Sequence, residues 1–528
     1  MAATSPAAGP LARTASAPAL ARRATRAAAG ARARLLTPMP ADGVWGWLGP
    51  LLVAVLAGVL RFWRLGVPAN KIFDEIYYAT EGNSMLHYGV EYKIAEHVPE
   101  FVVHPPVGKW VIAAGIWLFG DNSFGWRAPI ALLGTLSVLV LARVARRMFR
   151  STALGCAAGL LLAVDGQHYV ESRTALLDLT LSAFALFAFA ALVVDRDRSR
   201  ARLAGVVERS AEGGPDRLGR FGPGLGLRPW RLVAGLMLGL ACATKWNGVF
   251  FLAVFGLMTV LWDLGARRAA GVRRPWLGTL LRDALPAFVS LVVVSLAVYL
   301  VSWTGWFRSD PAHAYDRGWA ATRPASGLGS LVPDALRSLW HYHAEMLHFN
   351  TTLHAFHPYK SNPWGWPVLA RPVSFFYEQP VQGDRGCQVD KCSQAITAIG
   401  NPVVWWGGTL ALLLLLLLWA GTRDWRAGAV LAGVVAGWVP WFDFQSRTIF
   451  SFYAVAFVPY LVLALVLALS LVAGPPGASL TRRRWGGAAA GAVVALAAVN
   501  FAWMYPVLSA VVIPYSDWAA RMLLPSWI

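Results

Sequence analysis

Lys71-Ile72-Phe73-Asp74-Glu75-Ile76-Tyr77-Tyr78, followed further along by His104-Pro105-Pro106-Val107-Gly108-Lys109-Trp110, is the stretch that organises the reading of this chain. It comes directly after an apolar run, about Trp45 to Phe62, that is long enough to cross a bilayer. An adjacent acid pair, aromatics, a rigid di-proline and a lysine are thereby delivered to a membrane surface. Carboxylates kept beside a bilayer are costly and point to function; the plainer reading is a solvated loop charge. Phe73, Ile76, Tyr77 and Tyr78 crowd the pair with apolar surface, which favours the functional reading because such surroundings shift carboxyl pKa values.

The composition agrees with a membrane setting. The 528 residues are 57% hydrophobic and 14% charged, with 26 Trp, a balance that excludes an ordinary soluble protein. A net charge of +19 would suggest nucleic acid in a soluble chain, but here Lys and Arg cluster between apolar runs. That is the positive-inside pattern of a polytopic membrane protein, so topology accounts for the basicity.

Outward from the opening stretch, the basic segment 1–44 reads as a disordered cytosolic tail and 45–528 as the transmembrane part. Eleven spans are expected, at about 45–62, 127–142, 152–164, 176–194, 232–243, 248–262, 285–301, 402–420, 427–439, 449–472 and 486–504. Basic clusters such as Arg143, Arg146, Arg147 and Arg150, or Arg482 to Arg484, mark the cytosolic ends. The N-terminus is then inside, and the C-terminus and the loops 63–126 and 303–401 are outside. Lys109 to Phe119 is apolar but too short to cross, and is expected to lie in the interface.

Of four cysteines, Cys156 and Cys242 fall in apolar spans, while Cys387 and Cys392 share the long outer loop. A short-loop disulfide there is preferred to two free thiols in an oxidising compartment. No Walker or Rossmann glycine pattern follows a strand, so no nucleotide site is expected. A sugar donor reaching the outer face would have to arrive on a lipid.

The outer face collects carboxylates and cations, which suit a hydroxyl attacking a centre whose leaving group is a lipid phosphate: one carboxylate takes the proton and cations neutralise the departing phosphate. At this point the residues carry a resemblance. Phe73-Asp74-Glu75-Ile76-Tyr77-Tyr78 resembles the Asp-Glu motif of protein O-mannosyltransferases, and His104-Pro105-Pro106-Val107-Gly108-Lys109 resembles their His-Pro-Pro-x-Gly-Lys motif. Arg127, Thr244-Lys245-Trp246-Asn247-Gly248 and the tract from His354 to Pro367 are also similar to family segments. The long outer loop is too short, and lacks the β-rich pattern, for the domain that eukaryotic members insert, so the chain looks like the bacterial, actinobacterial branch.

The resemblance implies an all-α polytopic protein of the C-type glycosyltransferase fold, with interfacial helices in the first outer loop. It implies an inverting transfer of mannose from polyprenyl phosphate mannose to Ser or Thr of proteins being exported at the cell membrane, with the Sec export machinery as a candidate partner. Carried over, Asp74 is the general base and Glu75 orients the acceptor or shares that task. Arg127 and Arg447 are expected at the donor phosphate, as are Lys109 and Lys245 with less support. His104, Pro105, Pro106 and His354 are supporting residues. No cofactor is expected; a divalent metal ion is the weaker alternative, suggested by His341, His343, His348, His354 and His357. Asp165, Glu171, Arg173 and Asp178 are expected to form an ion-pair cluster behind the site. Competing readings are a related lipid-phosphate-sugar transferase with a lipid or polysaccharide acceptor, and a transporter, which would place its charges near the bilayer middle.

Overall fold

The computed structural model describes residues 28–212, 218–475 and 477–528. They fall into two compact units, each built from several stretches of chain: one from the N-terminal segment through Pro38, Asp195–Arg228 and Val260–Pro286, the other from Met39–Val194, Pro229–Thr259 and Ala287–Ile528.

In the smaller unit, residues 28–35 are helical, which corrects the expectation of disorder for that part of the tail; the tail before residue 28 lies outside the described residues. Ala28, Ala31 and Leu35 share one helical face and are buried against Leu203, Ala204, Val207, Ala266, Ala270 and Val272. Two buried ion-pair systems tie the unit together. Arg228 bridges Asp195, with Nε to Oδ1 at 3.1 Å, and Asp263 at 2.6 Å, and Arg267 holds Asp283 through two parallel bonds of 2.6 and 2.9 Å.

The larger unit is a helical membrane bundle. Helix α1 is Trp45–Phe62; α2, Glu75–Tyr88, and α3, Val107–Phe119, follow in the first long loop; α4 is Ser123–Phe149, α5 Thr152–Ala163 and α6 Gly166–Glu171. Helix α7, Leu177–Ala211, α8, Pro229–Cys242, and α9, Gly248–Ala269, come next, and α10 runs over Pro275–Ser302; α7 from Asp195, α9 from Val260 and α10 through Pro286 belong to the smaller unit. The rest are α11, Asp334–Thr352, α12, Pro402–Thr422, α13, Trp425–Trp438, α14, Val458–Ala473, and α15, Leu480–Leu508. Every expected span coincides with a helix, and the protein is a multi-pass membrane protein. Among the described residues eight helices are long and apolar enough to cross a membrane. Helices α5, α8 and α14, at 12, 14 and 16 residues, fall below that length. The span expected from residue 449 begins only at Val458, because Ser451–Ala456 is a tight 3-10 turn.

Close approach of helices rests on small residues. A Cβ on Gly235 of α8 would stand 1.9 Å from the Ser290 carbonyl oxygen, so only glycine lets α8 and α10 meet there. Within α10 the ladder widens to π-helical turns at Leu280–Ala284 and Val289–Val293, on either side of Pro286, which supplies no N–H.

The long loop 303–401 carries strands, which the all-α expectation left out. Strands β1, Val373–Glu378, and β2, Cys392–Ala398, pair antiparallel, and β3, Val512–Pro514, joins the far side of β2. Cys387 and Cys392 form a disulfide at the return of this hairpin. All seven residues of the central strand β2 are buried, and Phe375 of β1 meets Phe73 of the first long loop, so the small sheet is a packed platform.

Candidate active site

Asp74 stands at the turn that opens α2. The turn is made by Phe73, which adopts φ +48, a region costing a bulky residue roughly 1–2 kcal/mol. The Phe73 ring is stacked on Phe375 of β1 at 4.5 Å and meets Phe452 edge-on at 5.4 Å; such pairs return about 0.5–1.5 kcal/mol each. The platform sheet therefore holds the strained residue that aims Asp74. The Asp74 carboxylate is half-buried and makes no hydrogen bond or ion pair among the described residues. Burial pushes its pKa up to about 6; Lys245 pulls it down and Asp178 pushes it further up.

Its neighbour in sequence has the opposite fate. Glu75 is fully buried and bonded bidentately to Arg127, Nε to Oε1 at 2.8 Å and Nη2 to Oε2 at 2.7 Å. The backbone N–H groups of Ala175 and Ile72 donate to the same carboxylate at 2.8 and 3.0 Å. Arg127 spends its other donors on the carbonyls of Leu65, Pro68 and Asn70. Glu75, expected at the acceptor, and Arg127, expected at the phosphate, are thus bonded to each other and to backbone: the pair is a buried clip that fixes the segment leading into Asp74.

Lys109, expected at the phosphate, does not line the cavity that holds Lys245 and Arg447. Its Nζ is buried, paired with Glu81 at 3.3 Å and with Glu91, and it donates to the His104 carbonyl at 3.0 Å. Pro106 caps α3 and the Val107 N–H donates to the Ala243 carbonyl at 2.9 Å, so the His104-Pro105-Pro106 turn docks α3 against the end of α8. One cation facing two buried acids leaves a carboxyl uncompensated; burial, with Lys109 opposing and Glu91 reinforcing, pushes Glu81 up to about 7.

Lys245 and Arg447 meet at a cavity of about 190 Å³, lined also by His104, Asn247, Asn350 and Trp441. Lys245 donates to both oxygens of Asp178, at 2.8 and 3.0 Å, and sits 4.0 Å over the Tyr453 ring. Burial works against its charge, but Asp178 and Tyr453 outweigh burial and raise its pKa. Because Lys245 and Asp178 are also the charges acting on Asp74, the base candidate and the cavity wall are electrostatically joined. Arg447 has no carboxylate partner among the described residues. Its Nη2 donates to Asn350 Oδ1 at 3.1 Å and its Nε is buried without a partner. Asn247 Oδ1, on the same cavity, is likewise unpartnered. His104 is held neutral: burial first, then Lys245, Lys109 and Arg447, lower its pKa well below the usual value.

His354 lies outside this cavity, its Nδ1 3.0 Å from the Ser446 carbonyl. The cluster expected behind the site does not exist as such. Arg173 donates to the carbonyls of Leu60, Arg61, Trp63 and Arg64, Asp165 accepts from the His168 and Asn401 N–H groups and from Trp405, and Asp178 pairs with Lys245. Glu171 is buried and burial raises its pKa well above the usual value. Of the outer-loop histidines, His341 joins Asp316 and Glu345 in a three-residue group with the donor types a divalent ion accepts, with Nε2 3.3 and 3.5 Å from the two carboxylates. That group does not line the cavity. Asn350 went unrecognised as a site residue; its only sequence signal is an Asn-Thr-Thr pattern that suggests a different chemistry.

The bundle resembles two solved structures. The S. cerevisiae protein O-mannosyltransferase complex bound to the sugar donor matches with a TM-score of 0.69 at 15% identity, over 95% of this chain and 94% of that one. ArnT from Cupriavidus metallidurans bound to undecaprenyl phosphate matches with a TM-score of 0.51 at 18% identity, over 87% of this chain and 76% of that one. The likeness to both shows the fold, the C-type fold of membrane glycosyltransferases. Residues 335–527 match the C-terminal four-span region of protein-O-mannosyltransferase and residues 103–206 match dolichyl-phosphate-mannose-protein mannosyltransferase. A polyprenol-phosphate-mannose–protein mannosyltransferase of Mycobacterium tuberculosis is 43% identical over 92% of this chain and 93% of its own length. The Corynebacterium glutamicum protein of that name is 33% identical over 93% and 96%. This chain belongs to the polyprenol-phosphate-mannose–protein mannosyltransferase family.

Proposed function

We propose that the protein transfers mannose from polyprenyl phosphate mannose to Ser or Thr hydroxyls of exported proteins, at the outer face of the cell membrane and with inversion. The N-terminus is then cytosolic and the C-terminus outside, as the basic clusters imply. The observation that carries the mechanism is the division of labour between the adjacent acids: Glu75 is consumed by Arg127, whereas Asp74 is unpartnered with its pKa raised to about 6. A carboxyl poised there is largely ionised at neutral pH yet basic enough to accept a hydroxyl proton.

In the proposed step the acceptor oxygen attacks the anomeric carbon from the side opposite the phosphate. Asp74 takes the hydroxyl proton as the new C–O bond forms, and the bond from the anomeric carbon to the phosphate oxygen breaks. Arg447 receives the phosphate, its unpartnered Nε and its Nη2 offering a fork to two oxygens. Lys245 acts through charge, neutralising Asp178 and keeping the wall positive overall. Family membership and the printed names of the relatives support the donor and the protein acceptor. A hand-over from the Sec export machinery is an extension of the exported-protein reading.

The test is the product. Membranes containing the chain are given polyprenyl phosphate mannose labelled in the sugar, together with a Ser/Thr-rich secreted peptide, and label is expected on peptide hydroxyls in α linkage. Donor consumption with label only in lipid or polysaccharide would replace the protein acceptor by one of those.

A further inference from the structure

A second cavity, about 960 Å³, opens among the helix ends opposite to the candidate active site along the chain's path: the α4–α5 junction, the end of α14 and the starts of α13 and α15. It shares no lining residue with the cavity at Arg447. Arg150, Arg426, Arg482 and Arg483 line it, and no carboxylate does. Arg426 pairs with Asp424 at 2.6 Å, and Arg150 reaches Met39 Sδ. Among the described residues the Arg482 side chain donates to the Leu471 carbonyl alone, at 3.4 Å, and the Arg483 side chain has no hydrogen bond or ion pair.

Away from the arginines the walls become apolar. Leu160 lies nine residues beyond Ser151 on α5, and Val494 lies twelve beyond Arg482 on α15. At 1.5 Å per residue the chamber therefore runs roughly 14–18 Å along the helices from its charged end. Gly487 and Gly491 line it one turn apart, and a Cβ on either would meet nothing within 4 Å. Glycine inside a helix costs about 0.8–1 kcal/mol relative to alanine, and no helix approaches these two closely enough to require it. Gly474, at φ +82, lies against Arg482, where an added Cβ would come 3.2 Å from its Nε. A chamber apolar over most of its length does not fill with water readily, and its volume is at the upper end of ligand pockets, about 300–1,000 Å³.

We propose that this chamber is a binding site for one anionic phospholipid of the leaflet meeting these helix ends, with its phosphate among Arg150, Arg426, Arg482 and Arg483 and an acyl chain along Gly487, Gly491 and Val494. Phosphate is the anion that guanidinium groups fork onto, and basic pockets between membrane helices suit such head groups. A zwitterionic lipid brings its own cation into a mouth that is already positive and is held less well.

The full-length protein, taken from nanodiscs containing equal parts of phosphatidylglycerol and phosphatidylcholine and washed in detergent, is weighed intact by native mass spectrometry. The native protein is expected to retain phosphatidylglycerol in preference to phosphatidylcholine. The double variant Arg482→Gln/Arg483→Gln is expected to lower that retention roughly tenfold or more, and Arg482→Lys/Arg483→Lys to keep most of it. Gly491→Leu puts a branched side chain across the path of the acyl chain and is expected to lower phosphatidylglycerol retention with all four arginines in place; Ala490→Leu, on the same wall, serves if that variant does not fold. Equal retention of both lipids by the native protein overturns the proposal. So does a Gly491→Leu or Ala490→Leu protein, folded as judged by an unchanged melting temperature in lipid-free detergent, that keeps its phosphatidylglycerol: the arginines would then be attracting head groups from the surface alone.

Discussion

Arg127 and Glu75 form a fully buried bidentate ion pair in which all five guanidinium donors are used, two on the carboxylate and three on the carbonyls of Leu65, Pro68 and Asn70. Breaking one side leaves a charge with no water to receive it. Arg127→Met is expected to destabilise the protein by about 3–5 kcal/mol. Thermal unfolding in detergent checks this, together with the KM for the donor in whatever fraction folds. The account predicts a lower melting temperature with KM little changed. A raised donor KM at an unchanged melting temperature would return Arg127 to the phosphate.

Arg447→Ala should behave in the opposite way. Its Nε has no partner and its Nη2 holds only Asn350, so little structural bonding is lost. If its guanidinium stabilises the departing phosphate, turnover should fall roughly 100- to 1,000-fold while the melting temperature stays within a degree or two of the native value. Steady-state rates beside a melting curve separate the two effects.

Glu81 supplies a signed pH dependence of stability. Its folded pKa, about 7, lies above the ordinary value of 4.5, so the folded state holds a proton that the unfolded state releases earlier. The stability associated with that proton is fully present below about pH 4.5 and is lost as pH rises through about 7. Glu81→Gln keeps the neutral form at every pH. The native protein should therefore lose more melting temperature than Glu81→Gln between pH 5 and 8, and equal losses would remove Glu81 as the cause.

Much of this architecture was legible in the sequence because hydropathy is a local property. Each of the eleven expected spans has a helix, and Asp74 and Glu75 open α2 in the loop that follows α1, as their position demands. What was not legible was the assignment of partners. Glu75 and Arg127 are 52 residues apart, Lys245 and Asp178 are 67 apart, and Lys109 finds Glu91 across 18. A cation near an outer loop reads the same whether it is free for a phosphate or already neutralised, and only packing decides. The short helices α5, α8 and α14 show the same limit in length, and the three-stranded platform was missed because β1 and β2 are separated by a turn-rich, polar connection.

The pH profile of catalysis follows from Asp74. With its pKa near 6, the base is protonated and idle in acid, so the rate constant for transfer should rise with pH through about 6 and level off above it. Phe73→Gly relieves the positive φ but removes the stacking on Phe375 that aims Asp74. It should lower the plateau without moving the midpoint, since burial and the charges of Lys245 and Asp178 set that midpoint. A midpoint shifted by a full pH unit would mean that the ring also controls the desolvation of the carboxyl.

The most direct test of the central claim is the turnover number for mannose transfer by Asp74→Asn, measured on purified protein against native protein of equal melting temperature. Asn fills nearly the same space and cannot accept the proton, so a loss of roughly 100- to 10,000-fold is expected, with the acid limb near pH 6 abolished in the residual activity. Turnover within about twofold of native, with the acid limb intact, would contradict the assignment of Asp74 as the base.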